Sequence, residues 1–311
     1  MPAGSGVSRR DTHARGRGQA FVSHDVCVAE RLALVLAGGG LAGIAWETGF
    51  LLGLQEAEPT AAKRLLDADL LIGTSAGSAV AAQISSGVPL DQLYARQIAE
   101  DTHELAPRIE IDDLMGFFEG VGGGSLDDRL RAVGKQALAA DTVAEEVRRA
   151  VIAHRLPSHG WPDRRLEITA IDVDTGERVL FDRDSGVSLV DAVAASCAVP
   201  VVWPAVTIGT RRFMDGGIGS SANVDAATDV DAVVMLSPTP EPGLSPFGGS
   251  LADELAEHPG RTLGVFADDA SIAAFGRNPL DPARRAPSAA AGRDQGRRQA
   301  AEVAQFLATA G

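Results

Sequence analysis

The sequence predicts an α/β fold built on a mainly parallel sheet, and three observations carry that prediction. Short, continuous apolar runs recur along the chain, as strands buried on both faces require. Each of the first two runs is followed by a glycine-rich turn and then by a segment with helical spacing, the alternation that lays helices on the faces of a parallel sheet. The composition is that of a folded chain: 311 residues, 45% hydrophobic and 23% charged, enough for one large domain.

The elements follow in order. Residues 1–20 carry Arg9, Arg10, Arg15 and Arg17 against Asp11 and hold no apolar run. Residues 1–29 therefore read as a disordered basic tail rather than a secretory signal, and residues 30–311 as a single domain. Leu32–Ala37 is the first strand, Gly38-Gly39-Gly40 the turn, and Leu41–Glu56 the first helix, with Ile44, Phe50, Leu51 and Leu54 on one spacing. Asp69–Ile72 is a second strand, broken by Gly73, and Ala76–Ser86 a small-residue helix. Residues 89–156 change character. They read as a helical insertion or cap without strands: Leu90–Glu100, a glycine-rich break at Gly120–Gly124, Ser125–Ala139 and Asp141–Arg155, the last two with acidic first turns. Leu114, Met115, Phe117 and Phe118 are its most apolar cluster, either core or lipid-facing lid. Strands return at Leu166–Val173 and Arg178–Phe181, across the turn-forming Asp174-Thr175-Gly176. Ser188–Ser196 reads as a helix, Val201–Ile208 and Arg211–Met214 as a hairpin. Ala232–Leu236 and Arg261–Phe266 are further strands, and Pro282–Ala310 a terminal helix.

Composition also excludes. The formal net charge of −14 argues against a nucleic-acid partner, which calls for a basic surface. No run of apolar residues is long enough for a transmembrane helix. Cys27 and Cys197 are too few for a disulfide framework and match no zinc spacing, so no metal is expected and a reducing, cytoplasmic setting is the simplest reading. The arginine-rich tail and the Leu114–Phe118 cluster are the candidate points of peripheral membrane contact.

The chemistry concentrates in three loops. Gly73-Thr74-Ser75-Ala76-Gly77 is a G-x-S-x-G sequence between a strand and a helix, the context in which a serine stands exposed on a strained turn at a helix N-terminus. Gly38, Gly39 and Gly40 let backbone N–H groups converge on one spot. They suit an oxyanion hole or a phosphate cradle, since Gly38, Gly40 and Gly43 also satisfy G-x-G-x-x-G, with Glu56 or Glu58 as a ribose-binding acid. The adjoining G-x-S-x-G favours the oxyanion hole. A nucleophilic serine needs a base. His258 follows Asp215, so Ser75, Asp215 and His258 match a triad order, although His258 sits by a helix end where a capping histidine is commonplace. Asp215 itself ends a strand before Gly216-Gly217. A partly desolvated carboxylate within reach of the serine can serve as the base directly.

Taken in order, the Gly38–Gly40 loop, the Gly73–Gly77 elbow, Ala194-Ala195-Ser196-Cys197-Ala198-Val199-Pro200, and Asp215-Gly216-Gly217 through Asn223 resemble the signature blocks of patatin-like phospholipases. The resemblance spans roughly 32–240 and implies a three-layer α/β/α fold with a Ser–Asp dyad that uses no histidine. It implies Ser75 as nucleophile, Asp215 as base, and the N–H groups at Gly38, Gly39 and Gly40 as the oxyanion hole. The substrates it implies are acyl esters of glycerolipids, cleaved in the manner of a phospholipase A or lysophospholipase without a cofactor. One departure stands out. The family commonly carries Arg or Lys two places after the third glycine, and this chain has Ala42 there, which leaves open a weakened or inactive acyl-lipid-binding protein.

Overall fold

The first apolar run forms strand β1 (Leu32–Leu36), buried along its whole length in the computed structural model, which describes residues 30–308 apart from 101, 110 and 248. Leu32, Leu34 and Leu36 face one core and Ala33 and Val35 another, so the continuous run feeds both sides of the sheet. The basic tail and Cys27 lie outside the described residues. Helices α1 (Gly40–Ala57) and α2 (Pro59–Leu66) come next, then β2 (Leu70–Gly73) and α3 (Ala76–Ile84). Four helices without a strand follow: α4 (Leu90–Ile98), α5 (Ile111–Glu119), α6 (Leu126–Ala139) and α7 (Glu145–Arg155). The second half contains β3 (Arg165–Asp172), β4 (Arg178–Phe181), α8 (Leu189–Ser196), β5 (Val206–Ile208), β6 (Arg211–Asp215), β7 (Ala232–Ser237), α9 (Leu251–Glu257), β8 (Arg261–Phe266), α10 (Asp269–Phe275) and α11 (Arg285–Ala308).

The sheet order is β5-β6-β3-β2-β1-β7-β8, with β4 paired to β3 off this path. The pairs β1–β2, β2–β3, β1–β7 and β7–β8 are parallel. The remaining pairs, β3–β4, β3–β6 and β5–β6, are antiparallel. The chain leaves β1 on one side for β2 and β3 and returns on the other for β7 and β8. The loops that follow β1 and β2 therefore open at the carboxyl ends of adjacent strands beside a topological switch, the place where α/β sheets put their sites.

Three layers result. One face of the sheet carries α1, α3, α8 and α11, and α4 packs beside α1 and α11. The other face is covered by α9, through Leu251 and Leu255, and by α6, whose Leu130 and Val133 meet Ile171, Val173 and Met214. Helix α1 has no polar face: every residue from Leu41 to Leu54 is buried, because α11 closes the side away from the sheet. The two backbones approach so closely that a Cβ on Gly292 would lie 2.2 Å from the Trp46 carbonyl oxygen. No helix among the described residues is long and apolar enough to cross a membrane.

The structure departs from the sequence expectations in several places. The helical stretch 89–156 is strand-free as expected but divided between layers, with α4 beside α1 and α11 and α6 on the opposite face. The strand expected over Val201–Ile208 shrinks to β5, Val206–Ile208. Pro200 and Pro204 flank its first part, Val201 adopts φ 61°, and the Val202 and Trp203 N–H groups both turn back to the Val199 carbonyl, which swings Trp203 inward. Helices α2, α9 and α10, seven or eight residues each, are not among the elements expected from sequence.

Candidate active site

Two residues separate β2 from α3, and Ser75 is the second of them. Its backbone stands at φ 51°, ψ −114°, a region that L residues seldom enter and that persists only where the surroundings impose it. The flanking glycines are forced by contact. A Cβ on Gly77 would lie 2.0 Å from the Leu36 carbonyl oxygen, and one on Gly73 2.5 Å from the Ser78 Cα. The turn is fastened from three sides. The Ser75 N–H donates to Ser196 Oγ at 2.9 Å, and the Ser75 carbonyl accepts from Ser78 Oγ at 2.6 Å and from Cys197 Sγ at 3.2 Å. Next door, Thr74 Oγ1 accepts from Asn223 Nδ2 at 3.0 Å and from Thr169 Oγ1 at 2.9 Å.

Asp215 ends β6, with its carboxylate brought against the elbow. Ser75 Oγ donates to Asp215 Oδ2 at 2.6 Å, and the Gly217 N–H donates to Oδ1 at 2.7 Å. Both residues are almost enclosed, Ser75 at 8% exposure and Asp215 at 2%. Burial pushes the Asp215 carboxyl up to about 7, against the opposing pull of the Ser75 and Gly217 hydrogen bonds and of the Arg148 charge. A carboxylate poised near neutrality and bonded to a serine hydroxyl has the geometry and the basicity of a general base.

Sequence reading placed three glycine N–H groups at the oxyanion position, and the structure corrects this. The Gly38 N–H donates to the Ser221 carbonyl at 2.7 Å and is not free, although Gly38 lies against the Ser75 Cβ. The N–H groups of Gly39 and Gly40 make no hydrogen bond among the described residues, nor does that of Ala76, the first residue of α3. Gly40 and Ala76 both line the pocket that holds Ser75. They add two free donors to the N-terminal ends of α1 and α3, where negative charge is favoured.

His258 does not join this group. It caps the C-terminus of α9, with Nε2 facing the Ala227 carbonyl at 3.0 Å and Nδ1 accepting from the Gly260 N–H at 3.0 Å. Glu56, the candidate ribose ligand, is held by Arg293 and Arg297 of α11, and Glu58 lies in the short break between α1 and α2. Neither stands at the tip of a second strand, where a dinucleotide would need an acid. His103 and His154 stack with ring centroids 3.6 Å apart beside a neighbouring cavity. Ala42 is fully buried within α1, so no cation stands on that loop. Among the described residues, no three His, Cys, Asp or Glu side chains converge as a metal ion would need.

The Ser75 pocket is walled by Leu41, Ile44, Val199, Trp203 and Leu280 and carries two guanidinium groups, Arg148 and Arg155. Arg155 is paired in fork-to-fork fashion with Glu104, at 2.9 and 2.7 Å. Arg148 lies over the Trp203 ring, 3.9 Å from its centroid. Leu114 of α5 packs with Val202 and Trp203, while Met115 is 52% exposed. The apolar cluster thus divides: Leu114 is core and Met115 faces solvent.

Several residues that build the site were not singled out from sequence. Ser196 and Asn223 lay inside motif blocks, so a signal existed. Arg148 and Trp203 had none, because both lie outside every motif block.

A family model described as patatin-like phospholipase matches residues 34–228, well over half of the chain, and the chain belongs to the patatin-like phospholipase family. Among solved structures it is similar to VipD from Legionella pneumophila, at 14% identity and a TM-score of 0.45, covering 91% of this chain and 67% of that one. It is also similar to the type III effector protein ExoU, at 15% identity and a TM-score of 0.37, covering 88% of this chain and 53% of that one. The third similarity is to full-length ExoU with SpcU from Pseudomonas aeruginosa, at 15% identity and a TM-score of 0.38, covering 90% and 53%. The chain spans about half the length of the ExoU chains. No curated protein sequence matches it significantly.

Proposed function

We propose that this protein is a serine acyl hydrolase that cleaves fatty acyl esters of glycerolipids through Ser75 and Asp215, in the manner of a phospholipase A or lysophospholipase. The observation that carries the reading is the 2.6 Å hydrogen bond from Ser75 Oγ to a buried carboxylate, made on a strained strand–helix elbow. Family membership supports the same class.

The chemistry follows from the geometry. Asp215 takes the proton as Ser75 Oγ attacks the ester carbonyl, and the carbonyl oxygen gathers negative charge. The Gly39, Gly40 and Ala76 N–H groups are the donors free to hold it. Collapse breaks the ester C–O bond; the leaving alkoxide takes the proton from Asp215, and the acyl group stays on Ser75. Asp215 then accepts a proton from water as it attacks the acyl-enzyme, and returns it to Ser75 as the fatty acid leaves. Burial makes this cycle workable, since an ordinary aspartate near 4 is too weak a base for a serine hydroxyl. The pocket beside Ser75 is narrow, about 20 Å³. Its apolar wall includes Val199 and Trp203, which flank Val201, held at φ 61°. The half-exposed face around Met115 adjoins the wall and is the proposed point of peripheral contact with a lipid surface.

The test is ester hydrolysis by wild type and Ser75→Ala, on p-nitrophenyl esters of several chain lengths and on phospholipid vesicles. Turnover that disappears in a Ser75→Ala protein with an unchanged circular dichroism spectrum is the expected result. Wild-type turnover that survives in Ser75→Ala would overturn the assignment.

A further inference from the structure

Two guanidinium groups enter the Ser75 pocket, and among the described residues only Arg155 is paired with a carboxylate. Arg155 gives its fork to Glu104. Arg148 has no carboxylate partner among the described residues, its exposure is 6%, and its Nε is buried without an acceptor. The acids near it are already engaged: Glu104 by Arg155, and Asp215 by Ser75 and the Gly217 N–H. What Arg148 does have is the Trp203 ring under one face, 3.9 Å away. Stacking of that kind covers the flat face of a guanidinium and leaves the donors along its edge free for an in-plane acceptor. Planar pairs of N–H donors are what phosphate and carboxylate oxygens select. Although burial lowers its pKa to about 10, Arg148 remains a cation at neutral pH. Position 42, two residues beyond the glycine loop, is a fully buried alanine whose N–H is spent on the Pro279 carbonyl. The un-neutralised charge of this pocket therefore comes from α7 and not from the glycine loop.

Resting on the reading of Ser75 as nucleophile, we propose that Arg148, backed by Trp203, binds the phosphate of a glycerophospholipid and selects such substrates over neutral acylglycerols. The phosphate supplies the charge that the buried guanidinium lacks, and the Trp203 face fixes the plane in which its oxygens are met. Loss of Arg148 also removes a charge that holds the Asp215 carboxyl down, which changes turnover of every ester. The informative quantity is therefore the ratio between matched substrates.

The experiment compares Arg148→Met and Arg148→Lys with wild type on diheptanoylphosphatidylcholine and diheptanoylglycerol, which share their acyl chains. Wild type is expected to prefer the phospholipid in kcat/KM, Arg148→Met to lose about tenfold or more of that preference, and Arg148→Lys, which keeps the charge without the fork, to fall between. A preference unchanged in Arg148→Met would overturn the proposal, as would equal losses on both lipids with the ratio intact. Calorimetric binding to Ser75→Ala gives a readout independent of turnover. There the phospholipid should bind more tightly than diheptanoylglycerol, and Ser75→Ala/Arg148→Met should erase the difference while melting normally. Inorganic phosphate binding as tightly as the phospholipid would mark a free-anion site and overturn the lipid assignment. Loss of Ser75-dependent turnover on every ester, with the binding difference and its Arg148 dependence intact, would sink the hydrolase reading and leave the phosphate site standing.

Discussion

Asp215→Asn should inactivate this protein and make it more stable, and the pH dependence of that gain tests the buried-base reading. The Asp215 carboxyl titrates near 7 in the fold against an ordinary 3.8, because it is desolvated. At 1.36 kcal/mol per pH unit, the gap corresponds to about 4 kcal/mol of preference for the neutral form. The sign follows from which state ionises first. Above 3.8 the unfolded chain releases the proton while the folded chain keeps it, so wild-type stability is whole below 3.8, falls between 3.8 and about 7, and is flat above. Asparagine is isosteric and stays neutral. Its Oδ1 can accept from the Gly217 N–H, and its Nδ2 can donate to Ser75 Oγ, so no buried polar atom is orphaned. The variant should therefore gain up to about 4 kcal/mol at about pH 8 and roughly 2–3 kcal/mol less than that at about pH 5. Thermal melts at the two pH values provide the assay, with an upward shift of several degrees expected at the higher one. A variant no more stable than wild type at about pH 8, or a shift equal at both pH values, would refute the reasoning.

Other outcomes follow from the same geometry. Ester hydrolysis should rise about tenfold in kcat/KM between about pH 6 and about pH 8, half-maximal near 7, as Asp215 ionises; a flat profile over that range would remove it as the base. His258→Ala should hydrolyse esters within about twofold of wild type, because both ring nitrogens serve the backbone around α9; a loss of about a hundredfold would restore the triad. Gly77→Ala should lower stability by about 3 kcal/mol and abolish turnover, since the added methyl meets the Leu36 carbonyl; a normal melting temperature would contradict that contact. Glu104→Gln should cost about 3 kcal/mol in denaturant unfolding by leaving the buried Arg155 uncompensated, and an unchanged midpoint would show that water or another group takes over the charge.

Much of this protein was legible in its residues because the constraints involved are local. A strand that must be buried on both faces reads as LALVL or LLIG whatever surrounds it, and both runs are strands of the parallel core. The elbow was legible for a similar reason. A serine at φ 51° between a strand and a helix leaves no room for a Cβ two residues to either side, so G-x-S-x-G records a steric fact. Asp215 was readable from its place at a strand end before two glycines, and the order of the blocks carried the family.

Tertiary structure alone decided the rest, and in each case the deciding quantity depends on residues far apart in the chain. The Gly38 N–H looked as available as that of Gly39 until Ser221 came within 2.7 Å of it. His258 stood in the right order for a triad, but order says nothing of where a helix end points. The basicity of Asp215 is a property of its enclosure, assembled from β2, β3, α7 and α8, and no spacing along the chain encodes it. Arg148 is the sharpest case. Beside Arg149 it reads as one more solvated charge, and only the packing of α7 against Trp203 takes it out of water without supplying a carboxylate partner among the described residues. Desolvation and pairing are sums over neighbours, and those neighbours are fixed only when the chain has closed.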